Sequence, residues 1–174
     1  MLVLLESFMY EVSNLFLTPV LILIVILFVY SFFQIGVFTM ESMQRRSNSL
    51  DYHKQNNDAV LKEIKGYPIY SYFVQNPTLS SDGLELVAYK KIETISIVTR
   101  VAPMLGLVAT MIPMGPALKS LSDGNVQGIS ENLMIAFAAV IFSLITASIT
   151  YWITSKRKGW YGGEIVDITK SAKI

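Results

Sequence analysis

The chain has 174 residues, of which 52% are hydrophobic and 16% charged, with a mean hydropathy of +0.48; this is the composition of a membrane protein, not of a water-soluble domain. Fourteen basic and thirteen acidic residues leave a net charge of +1, so no whole-chain field would recruit nucleic acid or an acidic polymer. With no cysteine and one histidine, a disulfide frame, a thiolate nucleophile or metal site, an S-acyl anchor and a multi-histidine metal site are excluded, and no cofactor is expected.

The first segment, MLVLLESFMYEV, carries Glu6 and Glu11 but no Lys or Arg. It lacks the basic start of a cleavable signal peptide, so a retained span is expected. No charged residue occurs from Val12 to Met40, and LFLTPVLILIVILFVYSFFQIGVF, Leu15 to Phe38, is almost wholly apolar. At about 1.5 Å per residue that run reaches roughly 36 Å, against a hydrocarbon core of roughly 30 Å. The first span is placed near residues 15–39.

The water-exposed part follows as a loop over about 41–94. It reads as two helical pieces broken by GYPIYSYFVQNPTLSSDG, with His53 a solvated loop residue. Asp82 and Glu85 form a capping-box pattern. From there Leu84, Val87, Ala88, Lys91, Ile92 and Ile95 recur at helical spacing, so one long helix runs from the loop into the second span. The pairs Ser80–Ser81 and Gly162–Gly163 read as turns.

The second and third spans are expected near 95–118 and 131–155, joined by the polar stretch KSLSDGNVQGIS. Ser130 and Glu131 look like the N-cap and first turn of the third, where an acid complements the helix dipole. Basic residues crowd the loop and the tail after the third span (Lys156, Arg157 and Lys158), whereas the second hairpin has only Lys119. The N-terminus is therefore expected outside and the C-terminus inside. Trp152, Trp160 and Tyr161 read as interfacial anchors beside the basic cluster.

With Arg100 and Glu131 near the span ends, no ionisable residue lies in the interior of any span, so the chain alone lacks the usual carrier of a proton path. What the spans hold is shape. At 100° per residue, Ala136, Ala139, Ser143, Thr146, Ala147, Thr150 and Thr154 fall on one arc of the third span, opposite Ile141, Ile145, Ile149 and Trp152. In the second span Ala102, Gly106, Ala109, Pro113 and Ala117 form a small stripe with Thr110 at its edge. Such stripes serve close helix packing or face a narrow lumen; the residues alone leave both readings open. Pro113 and Pro116 withhold backbone donors near the outer end, through a kink or a polar lining.

The stretch APMLGLVATMIPMGPAL, Ala102 to Leu118, with the Gly124–Asn125 turn and NLMIAFAAVIFSL, Asn132 to Leu144, resembles the MotA/TolQ/ExbB proton-channel family. Ala102, Pro103, Leu105, Gly106 and Thr110 match its AP-x-LGL-x-(G/A)-T pattern; Ala136, Phe137 and Leu144 match AF-x-T-T-x-x-G-L. The compact loop and short tail are most similar to prokaryotic ExbB/TolQ-type proteins, archaeal ones included. Three positions depart: Ala139 and Val140 stand where the family has small polar residues or threonine, and Ser143 where it has glycine. The family's acidic position falls near Ile135, with Glu131 one turn farther out.

What the resemblance implies is an all-α membrane protein of one domain over 1–174, with three transmembrane helices and cytoplasmic helical extensions, assembling into a ring. Five copies would enclose single-span partners of the ExbD/TolR type, whose membrane aspartate supplies the protonatable group. Thr110, Ser143, Thr146, Thr150, Ala139 and Val140 are then expected to line the pore. Ala102, Pro103, Gly106, Ala109, Pro113, Ala136 and Ala147 serve helix packing. The expected function is an energy-transducing channel or stator subunit in the prokaryotic cell membrane, driven by a proton or sodium gradient, and not an enzyme. The competing expectation is a non-conducting oligomeric scaffold of the same fold.

Overall fold

A computed structural model describes residues 2–52 and 62–171; His53 lies outside them. The described residues form helices and no strand: α1 (Leu2–Ser47), α2 (Pro68–Gln75), α3 (Ser81–Ser122) and α4 (Val126–Ser171). Three of these, α1, α3 and α4, are long and apolar enough to cross a membrane. Each runs past the expected span, because the residues flanking it stay in helical register.

The helix ends differ from the sequence expectation by a few residues. At the start of α3 the Ser80 hydroxyl, not Asp82, accepts the Gly83 amide at 3.3 Å, while Asp82 sits in the first turn. α4 begins at Val126, where the Asn125 side chain accepts the Gly128 amide at 3.0 Å. Ser130 is thus inside the helix, and Glu131 takes a hydrogen bond from Gln127 at 3.0 Å. An Asn is as good an N-cap as a Ser, and the Gly124 turn at φ +69 reverses the chain just before it. Gly162 and Gly163, read as a turn, lie within α4. The segment read as a break contains α2, with Pro68 at its first position.

The chain divides into two compact units. The first comprises residues 1–32 and 97–150. Its core is Ile24 of α1 against Ala109 of α3 and Ala139 of α4, with Val20, Leu21 and Leu105 around them. Two alanines leave the hollow that one isoleucine fills. Phe28 adds a ring contact to Phe142 at 4.9 Å. α3 stays helical through Pro103, Pro113 and Pro116.

The second unit comprises residues 33–96 and 151–174. Leu84, Ala88, Ile92 and Ile95 form the buried face of α3, as their spacing predicts, whereas Lys91 is exposed. Phe38 stacks on Trp160 and meets Trp152 edge-on. The loop before α2 returns against α1 at Gly66. With φ +93, and with the Arg45 backbone where a Cβ would go, only glycine fits that approach.

Candidate functional site

In the first unit, α3 meets α4 at Gly106, which faces the Ser143 hydroxyl with no space for a methyl group. Ala102, Gly106, Ala109, Pro113, Ala136 and Ala139 are buried there, while Pro103 and Ala147 keep partial exposure. Small residues let two apolar helices approach to backbone contact, where dispersion is strongest.

The hydroxyl arc lies in the same buried face. Ser143 is 2% exposed, and Thr146 and Thr150 are wholly buried. Each hydroxyl donates to its own helix: Ser143 to the Val140 carbonyl at 2.9 Å, Thr146 to Phe142 at 2.9 Å, Thr150 to Thr146 at 2.8 Å. A hydroxyl used this way keeps an acceptor lone pair but has no proton to offer elsewhere. Thr110 is only half-buried and donates to the Leu107 carbonyl at 2.7 Å, three residues back. Val140 is likewise half-buried, next to the buried Ala139. Within one protomer, then, Ser143, Thr146, Thr150 and Ala139 form a seam, and Thr110 and Val140 reach its rim.

Among the described residues, the buried charged side chains are Arg157 and Glu164, both beyond the third span. The sequence places Arg157 with Lys156 and Lys158 in the basic cluster that follows the third span. In the second unit it donates to the Glu41 carboxylate at 2.9 Å, and Tyr161 donates to the same carboxylate at 3.2 Å. Arg45 pairs with Glu164 and lies over the rings of Tyr67 and Trp160, each 4.8 Å from its centroid. Two arginines and two glutamates thus make a neutral cluster walled by aromatic rings, the arrangement in which buried charge is tolerable. Tyr161 is buried here and so is no free interfacial anchor.

Glu164 has a second task. Its other oxygen accepts the backbone amides of Ile69 and Tyr70 at 2.8 and 2.9 Å. The residue before α2, Tyr67, offers no side-chain cap, so α4 supplies the cap across space. Burial raises the Glu164 pKa, against the opposing pull of Arg45 and the two amides. Burial likewise pushes Tyr161 and Tyr52 up, Tyr161 beside Glu41 and Tyr52 bonded to Asp167 at 3.1 Å. This cluster escaped the sequence reading. Its only trace there is the Glu41–Arg45 spacing of one helical turn and a glutamate that follows a run of three bases in α4.

A family model for the MotA/TolQ/ExbB proton channel family matches residues 83–169, half of the chain. The chain belongs to this family. No curated protein and no solved structure matches it. The MotA/TolQ/ExbB match takes in nearly all of α3 and α4, including the Gly106–Ser143 approach, the hydroxyl seam and Glu164, whereas α1 and α2 lie outside it. The protein is accordingly a multi-pass membrane protein of channel type.

Proposed function

We propose that this chain is the ring-forming subunit of an ion-gradient-driven channel, working with a single-span ExbD/TolR-like partner that carries a membrane carboxylate. The observation that carries this reading is the family match over 83–169 laid on spans that hold hydroxyls but no buried ionisable group. Hydroxyls can solvate a protonating carboxylate but cannot replace it, so the carrier comes from another chain. The ring is a homo-pentamer in a prokaryotic cell membrane, with the N-terminus outside and the C-terminus in the cytoplasm. Thr110 and Val140 edge the lumen, and Ala139, Ser143, Thr146 and Thr150 form the wall behind them. Moving the partner against this wall is the stator-like output.

One observation favours the second reading, a non-conducting scaffold of the same fold. The seam hydroxyls are buried in the protomer and engaged by their own helix, and Ala139 has none. Native mass spectrometry of the detergent-extracted protein separates the readings at the level of composition. A five-copy assembly with a co-purifying single-span protein bearing a membrane aspartate is the expected result. A ring without such a partner favours the scaffold, and a stable monomer contradicts both.

A further inference from the structure

Beyond the third span α4 continues for about four turns and carries glycines at 159, 162 and 163. A Cβ built on any of them meets nothing within 4 Å. Glycine is the least favourable helix residue after proline, and no neighbour within the protomer requires it here. The three share the exposed face of α4 with Val166 and Lys170, opposite the buried Tyr161, Glu164 and Ile168. On α3 the outward face carries Leu86 and, at its edge, Tyr89, 55% and 60% exposed, flanked by Asp82, Lys90 and Glu93. These residues lie outside the expected spans, where no lipid tail covers an apolar side chain.

Between the two helices runs an apolar groove of about 380 Å³ that Tyr89 and Gly162 border, lined also by Glu85 and Val166 and by Ile92 and Lys158. α3 and α4 run antiparallel through the short Gly124 turn, so Glu85 is level with Val166 and Ile92 with Lys158. Rotation about an axis along the membrane normal preserves these heights from copy to copy. Tyr89 and Leu86 of one copy therefore come level with Gly162 and Val166 of the next. Glu93 comes level with Lys158, and Asp82 with Lys170. The acids of α4 do not compete for these lysines, since Glu164 is engaged by Arg45 and Asp167 by Tyr52.

We propose that the Leu86–Tyr89 ridge of one copy packs on the glycine face of α4 in the next copy, with Glu93–Lys158 and Asp82–Lys170 pairing across the joint. The inference rests on the ring proposed above and names the surface that closes it outside the membrane. Bulk on α3 meets missing side chains on α4, and acids meet bases at matching heights.

The chain has no cysteine, so single-cysteine variants report cleanly. Leu86→Cys and Gly163→Cys copies bearing different tags are co-expressed and treated with a short bis-maleimide. A covalent pair carrying both tags is expected. Lys158→Glu should lower the oligomer fraction at least tenfold, and adding Glu93→Lys should restore it. Gly162→Leu should also lose the oligomer while keeping protomer helicity by circular dichroism, which separates a lost joint from a lost fold. An intact ring that neither cross-links nor responds to Lys158→Glu overturns this joint and leaves the ring standing. A monomer in mild detergent overturns both. Cross-linking of Gly163→Cys solely to a different polypeptide assigns the face to another partner and overturns the proposal.

Discussion

Gly106 on α3 faces Ser143 on α4 so closely that a Cβ at 106 would overlap the serine hydroxyl and lie 3.0 Å from the serine Cβ. The pair sets the spacing of the two helices matched by the channel family. Gly106→Ala is expected to destabilise the protomer by about 1–3 kcal/mol through overpacking. Adding Ser143→Gly removes the obstacle and should recover most of that loss. Thermal unfolding in one detergent, read as a double-mutant cycle, checks this: strictly additive effects would mean the two residues do not meet.

Glu164 is expected to control α2 through the two amides it accepts and the arginine it neutralises. Glu164→Leu leaves Ile69, Tyr70 and Arg45 without that partner, and a loss of about 3 kcal/mol follows from a broken buried pair. Faster amide hydrogen exchange at Ile69 and Tyr70 should accompany it.

The same residue sets a pH dependence whose sign can be stated. Burial raises its pKa above the ordinary 4.5, so the folded chain takes up this proton more readily than the unfolded chain. The associated stability is present below the ordinary value and is lost as pH rises through the raised one. Glu164→Gln mimics the protonated carboxyl at every pH. Every partner of Glu164 is a donor, so the amide nitrogen faces one of them and the variant starts from a lower Tm; the gap to the native chain should narrow as pH rises through the raised value, and a native chain that gains on the variant with rising pH would contradict this.

Much of the fold was legible because apolar run length and helical spacing are each set by one segment at a time. The spans and the buried face of Leu84, Ala88, Ile92 and Ile95 followed from such patterns, and the channel family from the resemblance of Ala102–Leu118 and Asn132–Leu144 to its signatures. The buried cluster did not, because pairing Glu41 with Arg157 and Arg45 with Glu164 depends on which helices meet, more than a hundred residues apart in the chain. Arg157 in a run of three bases looks like its neighbours; only packing separates it from the exposed Lys156 and Lys158. Glu164 as a cap for α2 was hidden for the same reason, since a cap is ordinarily sought in the residue before the helix.

Thr110→Val removes a hydroxyl at nearly constant volume from the rim of the seam. Gradient-driven flux should fall to background with oligomer recovery unchanged, since a threonine that only packs contributes about 0.6–2 kcal/mol. Val140→Thr restores the family's residue type and should be tolerated, with flux equal to or above that of the native chain. Undiminished flux in Thr110→Val would remove Thr110 from the pathway.

The expected orientation is tested by impermeant thiol labelling of Ser122→Cys and Lys65→Cys in intact cells. Ser122, at the end of α3, should react from outside and Lys65, in the loop before α2, only after permeabilisation. Reaction of both from one side would overturn the three-span topology.

The most direct test is ion flux in liposomes holding this chain with its single-span partner under an imposed proton or sodium gradient. Flux should require both chains and should vanish when the partner's membrane carboxylate is changed to the amide, because the spans carry no buried ionisable group of their own. Flux from this chain alone, or no flux with an intact carboxylate-bearing partner, would contradict the account, the latter in favour of a scaffold.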